Sequence, residues 1–184
     1  MLGAVSSRVA ANARCPVAVV PPQGAPSGGA RRVVAGVSAT HSCRAALEFA
    51  FEEARLRDAT LTAVSALRNS AEGPPTARTL DVRTLSRGTD QLAELDSAGL
   101  AYPDVLIEPT VSDDRPTTAL LAAARDAQLL IVGRHTGPEP SGRLDALTSA
   151  LAGQAPCPVA VVGHSQSLVA TGSSGVFATN FAWP

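Results

Sequence analysis

A chain of 184 residues with 45% hydrophobic and 17% charged residues has the composition of a folded globular protein, long enough for one well-buried domain with additions and short for two. Its net charge of −1 comes without any basic run, which excludes nucleic acid as the main partner, and no stretch approaches the ~18 apolar residues of a membrane-spanning helix. All 15 basic residues are Arg, so lysine chemistry is excluded, and the N-terminus lacks the basic start and continuous apolar core of a signal peptide, which makes the cytoplasm the expected location.

The chain opens on small residues with helical character, "GAVSSRVAANAR", followed by Cys15–Val20, "CPVAVV". The same six letters recur at Cys157–Val162, again behind a small-residue helix, "ALTSALAGQAP". Pro21–Ala30, "PPQGAPSGGA", is a linker by composition. Residues 1–22 are therefore expected to form a separate fragment, 23–30 a linker, 31–163 the main domain and 164–184 a loose, Ser/Gly/Ala/Thr-rich tail. Val176, Phe177, Phe181 and Trp183 are that tail's apolar residues.

Within the main body, Arg32–Val37, "RVVAGV", is a short apolar run of the kind buried on both faces of a sheet. Ser42 offers an N-cap to a helix with Leu47, Ala50, Phe51 and Ala54 at i, i+3, i+4, i+7, ending near Arg57-Asp58. Thr60–Ala66 is the second strand, Arg68–Thr84 reads as loop, and a weaker helix spans Thr89–Leu100. Val105–Thr110 is the third strand, which Pro109 confines to an edge or to its last residues.

Asp113–Pro116 opens the next helix with a carboxylate cap and Pro in the first turn, and Leu120, Leu121 and Ala124 form its buried face. Leu129–Val132 is the fourth strand and runs into Gly133. A loop over Arg134–Ser141 then leads to a helix with Leu144, Leu147 and Leu151, stopped by Gly153, and Val159–Val162 closes as the fifth strand. Strands alternating with helices at this spacing predict an α/β fold with an open, doubly wound parallel sheet. Cys15 and Cys157 each precede a proline at a strand entrance. With Cys43 they lack the clustering of a metal or redox site and are expected to be small, buried, reduced residues.

The run "VVAGVSATHSCRAALEFAFEEA", with "LLIVGRH", "YPDV", "DRPTTALLAAARDAQLLIVG" and "APCPVAVVG", resembles the universal stress protein family from Arg31 to Gly163. The resemblance implies an adenine-nucleotide alpha-hydrolase-like fold of five parallel strands in the order 3-2-1-4-5. It also makes ATP a candidate ligand, bound through G-x2-G-x9-G-(S/T) with an Asp ending the first strand. Glycines there admit phosphate oxygens to the backbone, and a helix N-terminus supplies N–H groups.

Carried onto this chain, the Asp position falls on Ser38, next to Ala39, and the first Gly is Gly133, after Val132. The second Gly falls on Thr136 and the third on Ala146, followed by Leu147, which cannot donate, then Thr148 and Ser149. Ala66 ends the neighbouring strand. Gly137 offers the missing second Gly with a one-residue shift, and Arg134, His135 and Arg143 favour an anion, whereas Glu139 and Asp145 set carboxylates in the same loop. The expectation is a degenerate nucleotide site in a stress-response module that acts by binding and dimerisation, not by catalysis. The alternative is an ATP-binding regulatory switch built on the Gly133–Ser149 loop and helix. His41 and His135 share that sheet edge without a nucleophile or metal partner and read as solvated.

The opening fragment resembles the last helix and strand of a first domain of the same family, as in a tandem member lacking most of that domain, with Gly3, Ala4, Val5 and Ser6 on the G-(S/T)-V-S stretch. The resemblance implies self-association by antiparallel pairing of closing strands. Here the chain carries both strands, so Val17 and Val19 are expected opposite Val159 and Val161, either within the chain or between copies. Three strand spacings, about 14 Å at ~4.8 Å each, separate that edge from the first strand. The Pro21–Ala30 linker reaches up to about 33 Å.

Overall fold

A computed structural model of the chain describes residues 3–22, 30–37, 44–66, 93, 95–134 and 144–163. The expected loop over Arg68–Thr84, the expected cap Ser42 and the expected tail lie outside these residues, as do Cys43, His41 and His135.

Among the described residues six strands form one sheet: β1 (Val17–Val19), β2 (Arg32–Val37), β3 (Thr60–Ala66), β4 (Ile107–Ser112), β5 (Leu129–Gly133) and β6 (Val159–Val162). Their order is β1-β6-β5-β2-β3-β4, so the five strands of the main body follow the order 3-2-1-4-5. All five are parallel, and β1 is added antiparallel outside β6. Among the described residues four helices accompany them: α1 (Ala4–Asn12), α2 (Arg44–Leu56), α3 (Pro116–Ala123) and α4 (Ala146–Gln154), with a further helical stretch at 95–99.

The helices divide the core into two layers. On one face α2 buries Ala46, Leu47, Ala50, Phe51 and Ala54 against Val33, Ala35, Leu61, Ala63 and Ile131. Phe51 is fully buried and stacks on Tyr102, centroids 5.2 Å apart. On the other face Ala119, Leu120 and Leu151 of α3 and α4 cover Val34, Val64, Leu130 and Val132, and Ala10 of α1 joins the same layer. Gly36 lets α3 come close, since a Cβ there would stand 3.3 Å from Leu120 Cδ1.

Local expectations are corrected at several points. The third strand starts at Ile107, not Val105, because Val105 is spent on a turn, its N–H donating to Tyr102 O at 3.1 Å. The strand also runs on to Ser112, and β4 is the sheet edge that tolerates Pro109. The N-cap of α3 is Arg115, not a carboxylate, and it makes no side-chain cap bond; Asp114 folds back on Ser112, donating from its N–H to Ser112 Oγ at 3.1 Å. Leu121 of that helix is only half-buried, while Ala119 is buried in its stead.

Gly153 does not stop α4, which continues to Gln154. The stop is Ala155, held extended (φ −63°, ψ 140°) because the following Pro156 disfavours helical backbone before it. Cys157 is buried as expected, but Cys15 is exposed.

Candidate functional site

At the centre of the sheet β2 lies between β3 and β5, so the crevice outside the carboxyl ends of β2 and β5 is the topological switch point where ligands of such sheets bind. Around it the structure places Ala66, half-buried at the end of β3 opposite Ser112, and Val132 and Gly133 at the end of β5 opposite Val161 and Val162. Ser38, Ala39, Thr136, Gly137, Glu139 and Arg143 lie outside the described residues.

The helix beyond the loop is α4. Asp145 is its N-cap, and its carboxylate accepts from Thr148 N–H at 2.7 Å and from Thr148 Oγ1 at 3.0 Å. Thr148, 1% exposed, therefore presents no hydroxyl to the crevice. Ala146 is exposed and Ser149 half-buried, with its N–H donating to Asp145 O. A negative charge thus already sits on the N–H groups and dipole end that would receive a phosphate. The sequence shows Asp145 as a loop carboxylate; the D-x-x-T spacing to Thr148 is the signal that marks it as a cap.

Arg134, expected to favour an anion, is used elsewhere. Its N–H continues the sheet by donating to Val162 O at 2.6 Å. Its Nη1 donates to Ala11 O at 2.8 Å and Ala13 O at 3.0 Å, with a longer approach of 3.5 Å to Ala10 O. These are carbonyls at the C-terminus of α1, a negative dipole end that a guanidinium complements. Gly163 makes room, since a Cβ there would stand 2.7 Å from Arg134 Nη2.

At the outer edge Val17 faces Val161, Ala18 faces Ala160 and Val19 faces Val159. Shifting residue numbers by 142, the separation of Cys15 from Cys157, superposes α1 on α4 end for end and β1 on β6. The match extends to hydrogen bonds: Ser7 N to Gly3 O repeats as Ser149 N to Asp145 O, and Ala13 N to Val9 O as Ala155 N to Leu151 O. Gly3 therefore corresponds to Asp145, one residue ahead of Ala146. The ladder is centred on Ala18 and Ala160, which are counterparts, so the two helix–strand units are related by a local two-fold axis.

Among the described residues no group of three or more His, Cys, Asp or Glu is placed to hold a metal. The one buried thiol described, Cys157, is pushed up to about 11 by burial, which keeps it protonated and unreactive. No helix among the described residues is long and apolar enough to cross a membrane.

A model of the universal stress protein family matches residues 29–163. The universal stress protein Rv1996 of Mycobacterium tuberculosis is 33% identical over 181 residues, covering 92% of this chain and 56% of that protein, so the chain spans about half the length of this relative. A solved universal stress protein structure from Pseudomonas aeruginosa is similar at a TM-score of 0.59 and 20% identity, over 89% of this chain and 57% of that one. A universal stress protein from Archaeoglobus fulgidus, solved in complex with dAMP, is similar at a TM-score of 0.51 and 20% identity, over 72% of this chain and 95% of that one.

Proposed function

The chain belongs to the universal stress protein family, and from that premise we propose a cytoplasmic binding module of the stress response whose nucleotide cleft is closed from within. The observation that carries this reading is the Asp145 carboxylate held on Thr148 at the N-terminus of α4. A second anion at ~4 Å from it costs about 1–4 kcal/mol, depending on local dielectric. Arg134, which would offset that repulsion, is committed to Ala11 and Ala13. The module acts without catalysis, through its surfaces. Titration of the full chain with ATP-Mg²⁺ by calorimetry tests this: silence up to millimolar nucleotide supports it, and micromolar binding overturns it.

The second reading is an adenine-nucleotide switch on the Gly133–Ser149 loop and helix. It is favoured by the structural neighbour solved with dAMP. Titration with dAMP alongside ATP separates the two readings, because the switch predicts saturable binding of at least one.

For assembly we propose that β1 stands in for the closing strand of a second copy. Residues 1–22 are assigned as the closing unit of a homologous domain, residues 23–30 as its linker and 31–163 as the complete domain. An antiparallel ladder centred on identical residues is what a two-fold dimer of β6 strands would form, and here β1 fills that place. The edge pairing is therefore intrachain, and it withholds β6 from self-association.

A further inference from the structure

The carboxyl end of the sheet brings two helix ends of opposite sign together. α4 runs into the start of β6, so its N-terminus lies at that end. β1 is antiparallel to β6, so the helix before it, α1, brings its C-terminus there. Arg134 follows β5 directly and points to the layer of α1, α3 and α4, as Val132 and Leu130 do at the alternate positions before it.

The guanidinium is held at the α1 end, its Nη1 donating to Ala11 O and Ala13 O. That seat does not satisfy the whole group: Arg134 Nε is buried and has no hydrogen-bond partner among the described residues. At the α4 end the Asp145 carboxylate accepts from Thr148 and has no cation against it among the described residues. The carbonyls of one helix and the carboxylate that caps the other therefore compete for a single cation. The hold on α1 itself is short, with three ladder residues in β1 and Ala10 of the helix in the core.

We propose that α1 is an autoinhibitory element of the crevice and that Arg134 is the residue through which it acts. Docked, α1 draws the guanidinium onto its C-terminal carbonyls and leaves the N-terminus of α4 with the Asp145 charge uncompensated. Undocked, α1 withdraws those acceptors, and the guanidinium turns to Asp145, offsets its charge and adds N–H donors for a phosphate group. The crevice then takes a phosphate monoester, the class that includes nucleoside monophosphates. Linkage makes the effect reciprocal: a ligand that recruits Arg134 weakens the docking of α1 by the same factor. The inference rests on the reading of the crevice as closed by Asp145 and by the commitment of Arg134, and it adds what opens it.

The test is made on the full chain with Ala13→Pro, which removes the N–H bond to Val9 O and disfavours helical backbone at Asn12, so the last turn of α1 frays. Ala10→Trp, which lifts the helix from its seat, is a second route to the same state, and hydrogen exchange over residues 4–12 reports undocking in each. Calorimetric titration with dAMP should show binding about tenfold tighter than to the unaltered chain, the scale of one charge-assisted hydrogen bond. Adding Arg134→Gln to either variant should remove that gain. Quickened exchange without a gain in binding overturns the inference and leaves the closed crevice standing. Equal binding by the double variant overturns it too, because Arg134 is then not the link, and so does exchange that stays slow in both single variants. Micromolar binding by the unaltered chain is a separate outcome: it overturns the closed-crevice reading and this inference with it.

Discussion

Arg134 Nη1 lies 2.8 Å from the carbonyl oxygen of Ala11, a contact across 123 residues of sequence that ties the residue directly after β5 to the end of α1. The fragment is thereby held twice: by the β1–β6 ladder and by a cation on the C-terminal carbonyls of its helix. An arginine spent in this way is withdrawn from the crevice beside it.

Replacing Arg134 by Gln should loosen the fragment without melting the domain. Charge-assisted hydrogen bonds contribute about 1.5–3 kcal/mol each way they are broken, and the loss should fall on α1 and β1. Hydrogen exchange at residues 4–19 should quicken while the β2–β5 amides keep their protection. Unchanged protection in α1 would mean that Arg134 does not hold it.

Deleting residues 1–22 exposes the β6 edge, whose four residues are all buried in the intact chain. The truncated protein should dimerise, doubling its solution mass, while the full chain of 18.7 kDa remains monomeric. A truncated protein that stays monomeric with undiminished stability rejects the edge-capping role of β1.

Asp145→Asn separates capping from charge. Asn caps about as well as Asp, so the unfolding free energy should change little, whereas Asp145→Ala should cost about 1 kcal/mol. Removing the charge should also raise affinity for ATP-Mg²⁺ about tenfold, corresponding to about 1.4 kcal/mol of repulsion relieved. Calorimetry on the Asn variant decides it: no gain in nucleotide binding would show that the carboxylate is not what closes the cleft.

Cys157 gives the stability a dependence on alkaline pH. Its thiol is pushed up from the ordinary 9.0 to about 11 because burial disfavours the thiolate. Between these values the unfolded chain has lost the proton that the folded chain retains. The stabilisation is therefore whole below pH 9 and declines as pH rises towards 11, by about 2 kcal/mol. Urea unfolding of the protein and of Cys157→Ala at pH 7 and pH 10.5 should show the difference between them narrowing by that order. Parallel pH profiles would contradict it.

The sequence shows most of the scaffold because its elements obey local rules. Arg32–Val37 and Thr60–Ala66 read as strands with the bounds the structure gives them, since short segments rich in β-branched and small apolar residues between helical patterns suit a sheet buried on both faces. The face of α2 is legible from the 3.6-residue period, and the buried Leu47, Ala50, Phe51 and Ala54 are the residues that period selects. Where local signals compete, boundaries move: Val105 turns instead of extending, and Pro156, not Gly153, ends α4.

The candidate site was legible only as a list of residues at family spacing, because its character depends on contacts between distant parts of the chain. By itself the sequence determined the alternation of strands and helices, the parallel sheet, the duplicated "CPVAVV" and the presence of Asp145 and Arg134 near Gly133. Only the tertiary structure decided that Asp145 turns onto Thr148, that Arg134 leaves the crevice for Ala11 and Ala13, and that the two copies of the strand pair about Ala18 and Ala160. The reason is physical. Backbone periodicity and burial are set by neighbours along the chain. The partner of a charge or a sheet edge is set by whichever group folding brings within hydrogen-bonding reach.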